Sequence, residues 1–163
     1  MTDIEITVRR KESSYRVPVD LGQFVPTLKF DTGSEYTVIS ARMLDGSLTD
    51  DQLKNFKDYC EKHSRHKGQF ISASGDPITG YPVTATNVVI DGSVLPVFHY
   101  YLVLENKREI ALLGFDFIDR CECKHSPSGN FVITSLDQEG YGDFEGALQN
   151  DELAAYIDSL SIN

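Results

Sequence analysis

The chain has 163 residues, 40% of them hydrophobic, enough for one compact core and too few for two domains of ordinary size. Its formal net charge of −10 disfavours a nucleic-acid backbone or an anionic membrane surface as partner, because either would repel it over a Debye length. Residues 1–11 alternate charged and apolar side chains without the apolar stretch of a secretory signal, and no later run approaches the ~18 apolar residues of a membrane helix, so a cytoplasmic protein is expected. Tyr and Phe are frequent, Trp is absent, and Val, Ile and Thr recur in short alternating runs, a composition that predicts a mainly β fold.

Ile4, Ile6 and Val8 alternate with polar residues, and Tyr15, Val17 and Val19 repeat the pattern before the Leu21-Gly22 break, so two strands open the chain. Leu28 and Phe30, then Val38 and Ile39, bracket the turn Asp31-Thr32-Gly33-Ser34 with strand residues. Thr49 and Gln52 have the spacing of a capping box, with Leu53, Phe56 and Cys60 following at helical intervals, which predicts a helix over 50–62 inside a helical insertion of about 44–68. The basic cluster that follows, Lys62, His63, Arg65, His66 and Lys67, reads as a solvated helix end, where cations oppose the dipole, with contact to an acidic partner as the alternative.

Phe70-Ile71 and Ile78 to Val83 flank Ser74-Gly75-Asp76-Pro77 and read as a hairpin. Strands are expected over 85–90 and 95–104, joined at Asp91-Gly92, and over 131–134. Between the last two, the apolar run from Ile110 to Ile118 enters a short helix. Residues 137–150 are acidic and Gly-rich and predict a mobile connection, followed by a short helix that Asn150 can cap. Leu153, Tyr156, Ile157 and Leu160 give that helix an apolar stripe. Packing on its own core is the default for such a stripe; docking at a subunit interface or near a cleft is the alternative. The expected organisation is a domain over 1–136, then an acidic linker and helix over 137–163.

Cys60, Cys121 and Cys123 make an odd count, and Cys121 and Cys123 are too close along a strand to bridge each other comfortably. Reduced thiols are the simpler reading. A zinc site drawing on these cysteines with His63, His66 and His125 is the sharper alternative, but the Cys-x2-Cys spacing of most structural zinc sites is missing, so no metal and no cofactor are expected.

Asp-Thr-Gly alone recurs by chance, and an isolated copy reads as a local turn. Here it lies in the ordered series Phe30-Asp31-Thr32-Gly33-Ser34, Thr37-Val38-Ile39-Ser40, a Gly-containing hairpin, and Leu112-Leu113-Gly114-Phe115-Asp116-Phe117. That series resembles the retroviral and retrotransposon aspartic proteases and the cellular retropepsin-like domains of the ubiquitin-shuttle type, over about residues 15–135.

The resemblance implies a closed acid-protease β-barrel with one lobe per chain, acting as a homodimer on a polypeptide substrate. Only one Asp-Thr-Gly is present, so a two-lobed monomer is excluded by count and length. Asp31 would be the catalytic carboxylate. Thr32 would hold the two loops in register across the two-fold axis, Gly33 would let its N–H approach the carboxylate, and Ser34 would support it with a hydroxyl hydrogen bond. Val38 and Leu112 would line substrate pockets, where composition alone reads both as core residues, and Ser74, Gly75 and Asp76 would meet substrate at the tip of a flap. Asp116 reads as structural, bonding to nearby backbone or capping the short helix, rather than catalytic. Glu35 and Tyr36 depart from the acidic pair that retroviral enzymes place after the loop, and Pro77 departs from the glycine-rich flap. The alternative is a catalytically inactive peptide-binding or dimerisation module on the same fold.

Overall fold

A computed structural model describes residues 2–65, 67–71, 75, 77–105, 109–138 and 147–161, with the backbone alone described for residues 2, 69–71 and 161. The chain opens with β1 (Thr2–Lys11) and β2 (Ser14–Asp20), then β3 (Thr27–Phe30) and β4 (Val38–Ser40) on either side of the Asp31 turn. A one-turn helix α1 (Ala41–Leu44) leads to α2 (Asp50–His63). The hairpin strands β5 (Gly68–Ile71) and β6 (Pro77–Ile90) follow, then β7 (Ser93–Val103), β8 (Ala111–Leu113) and the short helix α3 (Phe115–Ile118). The last elements are β9 (Cys121–His125), β10 (Phe131–Leu136), β11 (Leu148–Gln149) and α4 (Asn150–Ser161).

The strands run in the order β11-β6-β7-β4-β8-β3-β2-β1-β10-β9, and β6 also pairs with β2 through Val19↔Ile90 and Asp20↔Val89. That second pairing closes β2, β3, β8, β4, β7 and β6 into a barrel. Closure removes the open edges those strands would otherwise present. Alternation does the rest: Val17 and Val19, Leu28, Ile39, Val83, Ala85, Phe98, Tyr100, Leu102 and Leu113 all point into one buried core.

The helix at 50–62 forms as expected, over Asp50–His63, with the Thr49 hydroxyl accepting from the Gln52 N–H and the Gln52 carboxamide oxygen accepting from the Thr49 N–H. Its apolar face, Leu53, Phe56 and Cys60, is buried in the main core. Burial pushes the Cys60 thiol up to about 12, so it serves as a small apolar side chain.

Four differences from the sequence reading have clear causes. Residues 77–90 form one long strand, where the alternation had been divided near Thr84. Asn87, at φ +53°, faces Pro96, and pairing skips that step because Pro96 has no N–H to give. β9 was missed because its apolar alternation is limited to Cys121 and Cys123 and its other residues are charged or polar; it is an edge strand, mostly exposed. The end of the expected mobile connection is ordered, with Leu148↔Val83 and Gln149↔Thr84 adding β11 parallel to β6. Finally, Asn150 is committed to the barrel: its amide oxygen accepts from the Tyr100 hydroxyl at 2.8 Å and its NH2 donates to the Leu21 carbonyl at 3.0 Å.

The stripe on α4 packs on its own chain. Leu153, Ala154 and Ile157 are buried in the main core, and the Tyr156 ring stacks on Tyr59 of α2 with centroids 4.1 Å apart. Two cross-bonds add to this, Tyr156 hydroxyl to the Asn55 carbonyl and Gln52 NH2 to the Leu160 carbonyl. Among the described residues no helix is long and apolar enough to cross a membrane.

Candidate active site

β3 delivers Asp31 to the end of the barrel, and the turn that follows is fixed by main-chain bonds. The Asp31 N–H donates to the Leu113 carbonyl at 3.0 Å, the Ser34 N–H to the Asp31 carbonyl at 3.2 Å, and the Phe115 N–H to the Ser34 carbonyl at 2.7 Å. The Asp116 N–H reaches the Glu35 carbonyl at 3.1 Å. Two chain segments about 80 residues apart are thereby laced into one loop pair.

The Asp31 side chain accepts a hydrogen bond from the Gly33 N–H at 2.9 Å. A Cβ at position 33 would lie 3.2 Å from the same carboxylate oxygen, tighter than most contacts of that kind, so glycine permits the approach. Asp31 is half-buried, while Thr32 and Gly33 stand exposed at the tip. Ser34 corrects the sequence reading: its hydroxyl donates to the Tyr36 carbonyl at 2.7 Å, so it braces the turn and does not reach the Asp31 carboxylate. A main-chain acceptor two residues along is the local bond a serine in a turn takes most readily.

Beneath the turn sits a polar knot that the sequence reading found only in part. Thr37 is buried; its hydroxyl donates to Asp116 Oδ1 at 2.8 Å and accepts from the Gly114 N–H at 3.1 Å. Asp116 Oδ1 also accepts from the Phe117 N–H at 2.9 Å, which bears out the structural role expected of Asp116. Burial raises the Asp116 carboxyl above its ordinary value, and the Thr37 hydrogen bond opposes that shift. Gly114 has no room for a side chain, since a Cβ there would lie 2.3 Å from the Tyr36 carbonyl carbon and oxygen. Thr37 entered the sequence reading only as the first residue of Thr37-Val38-Ile39-Ser40, which gave no sign of its bonds to Gly114 and Asp116.

Val38 and Leu112 are register partners of β4 and β8. Val38 is buried with Ile78 and Val103 in a small cluster separate from the main core, against which Tyr36 and Ile110 pack. Leu112 remains partly exposed and lines a groove of about 230 Å³. Ile78 belongs to the long hairpin strand, so this cluster ties the hairpin to the Asp31 side of the barrel. The hairpin pairs as Gly68↔Gly80 through Ile71↔Pro77, as the sequence predicted. Gly75 is exposed at φ +89°, a backbone conformation suited to glycine. Ser74 and Asp76 lie outside the described residues.

No family model and no curated protein matches the sequence. A crystal structure of a retropepsin-like aspartic protease from Rickettsia conorii is similar over 81% of this chain and 98% of its own, at a TM-score of 0.50 and 15% identity. The fold is retropepsin-like. At that identity the likeness concerns the fold, and the chemistry has to be argued from the residues. In this retropepsin-like barrel the Asp31 turn, the polar knot under it and the hairpin strand are assembled by one chain, and one chain supplies one Asp-Thr-Gly.

Proposed function

We propose that the protein is an aspartic endopeptidase, active as a homodimer in which two copies of Asp31 face each other across a two-fold axis. The observation that carries this reading is the Asp31 turn itself. A half-buried carboxylate takes one N–H from Gly33 and is held by backbone bonds to Leu113 and, through its neighbours, to Phe115 and Asp116, on a retropepsin-like barrel. Two carboxylates brought close together cannot both ionise readily, so the pair shares a proton. One then takes a proton from a water attacking the scissile carbonyl, and the other gives a proton to the leaving amine.

A dimer is favoured by the arithmetic of the site, one carboxylate per chain, and by two surfaces near the turn. Phe115, whose N–H is bonded to Ser34, is 47% exposed, large for a phenylalanine beside a polar loop. β9 ends the strand order, and Cys121 and Cys123 join Phe30, Ile118 and Phe131 along an apolar groove of about 300 Å³. An edge strand beside an apolar groove invites a partner. Thr32 would bond the opposite loop, and its exposure at the tip supports that role.

The experiment is cleavage of a mixed peptide library across acidic to neutral pH by the wild type and by Asp31→Asn. General acid–base catalysis by the pair predicts a loss of about 10³-fold or more in the variant. Undiminished cleavage by Asp31→Asn would remove this residue from the chemistry.

A further inference from the structure

A chain of net charge −10 carries a ladder of cations on the strands that lead to Asp31. Arg9 of β1 is the register partner of Arg16 of β2, Arg16 is the partner of Lys29 of β3, and Lys29 is the partner of Leu112 of β8. Register partners put their side chains on the same face, so three like charges stand in a row beside Leu112. All three are exposed. Like charges directly opposite each other destabilise a sheet, and nothing in the fold requires them, because solvent-facing strand positions accept almost any polar residue.

The row ends in the groove of about 230 Å³ lined by Arg16, Lys29 and Leu112 with Met43, Glu109 and Ile110. Among the described residues its charged groups are two cations and one carboxylate, the reverse of the chain as a whole. Lys29 is two residues before Asp31, a strand distance of about 6.6 Å. Leu112 stands next to Leu113, whose carbonyl holds the Asp31 N–H. The groove therefore opens on the same two strands that fix the turn, within reach of alternate side chains of an extended peptide lying across it.

We infer that Lys29 and Arg16 make this groove a specificity subsite for an acidic side chain of the polypeptide substrate, an assignment that rests on the protease reading. The carboxylate would sit between the two cations and relieve their repulsion. Leu112, Ile110 and Met43 would meet the aliphatic part of the same side chain. The bulk charge of the protein points to basic peptides, so the two expectations differ in sign and are separable by experiment.

The test is a degenerate peptide library cut by the full chain, with cleavage products sequenced by mass spectrometry, for the wild type and for Arg16→Glu with Lys29→Glu. Two partly exposed ion pairs multiply to a preference of about tenfold for Asp and Glu over Lys and Arg at one position beside the scissile bond. The charge-reversed protein should invert that preference, and Arg16→Met with Lys29→Met should abolish it. Cleavage with the same profile in all three proteins would overturn the subsite while leaving the protease reading intact. Fluorescence anisotropy of labelled acidic and basic peptides on Asp31→Asn covers the other failure. If the wild type cuts nothing, yet Asp31→Asn binds acidic peptides preferentially and charge reversal inverts that, the groove stands and the protease reading falls.

Discussion

The Asp31 turn and the arm that carries the hairpin are held by different kinds of contact. Around the turn the partners are main-chain groups and one buried polar knot, Thr37, Gly114 and Asp116, with no slack for another atom. The arm, β6, is held along its length by other elements: α2 through a hydrogen bond from the Tyr81 hydroxyl to the Glu61 carboxylate, β11 through Val83 and Thr84, and α4 behind them. A site that must hold a carboxylate in one geometry gains from rigid, close-packed backbone. A strand held by three other elements keeps the base of its hairpin fixed against the barrel.

Removing the arm's support should have the largest effect. Truncation after residue 146 deletes Leu148, Leu153 and Ile157, all buried, and at about 2 kcal/mol each the loss is about 6 kcal/mol, comparable with the whole stability of a small domain. Urea denaturation should find little cooperative folding; a truncated chain as stable as the full one would mean that the arm stands unaided. Gly114→Ala attacks the turn. A methyl 2.3 Å from the Tyr36 carbonyl forces the loop pair apart, so a cost of about 3 kcal/mol and loss of peptide cleavage are expected together.

Those two regions were unequally legible in the sequence. The turn was readable in part because one constraint is local, Gly33 against the Asp31 carboxylate, and because Gly114, which is needed by the distant Tyr36, stands in the recognisable run Leu112-Leu113-Gly114. The support of the arm was not. Tyr81 with Glu61, Tyr156 with Tyr59 and Asn150 with Tyr100 are pairings of ordinary residues far apart in the chain, and periodicity does not say which residues meet. Ser34 differs for a related reason, since which acceptor a turn hydroxyl takes is settled by loop geometry that a motif does not encode. Most strands and the helix at 50–62 came through because alternation and a capping box carry them directly, whereas closure into a barrel was expected only from the family resemblance.

Tyr81→Phe separates the arm's anchor from its packing. The Tyr81 hydrogen bond lowers the Glu61 carboxyl, so its stabilisation is present above the ordinary carboxylate value of about 4.3 and is lost as pH falls through the lowered value. The variant should melt below the wild type at neutral pH, and the two curves should converge in acid; a gap that persists there would assign the effect to packing. The smallest effect is expected at Asp116. Burial raises its carboxyl, so the folded protein holds that proton more tightly than the unfolded chain, and its contribution to stability falls as pH rises from about 4. Asp116→Asn keeps an acceptor for the Phe117 N–H and removes the buried charge. It should gain about 1 kcal/mol or less at neutral pH relative to the wild type, shrinking toward nothing below about pH 3, as followed by thermal melting against pH.

The central claim is that one chain holds half a site. It is tested most directly by mixing wild type with increasing amounts of Asp31→Asn at a fixed wild-type concentration and measuring peptide cleavage after exchange. A shared site requires both carboxylates from wild-type chains, so activity per wild-type chain should fall in proportion to the wild-type fraction as mixed dimers form. Activity that stays constant however much Asp31→Asn is added would contradict it, because each chain would then be cutting alone.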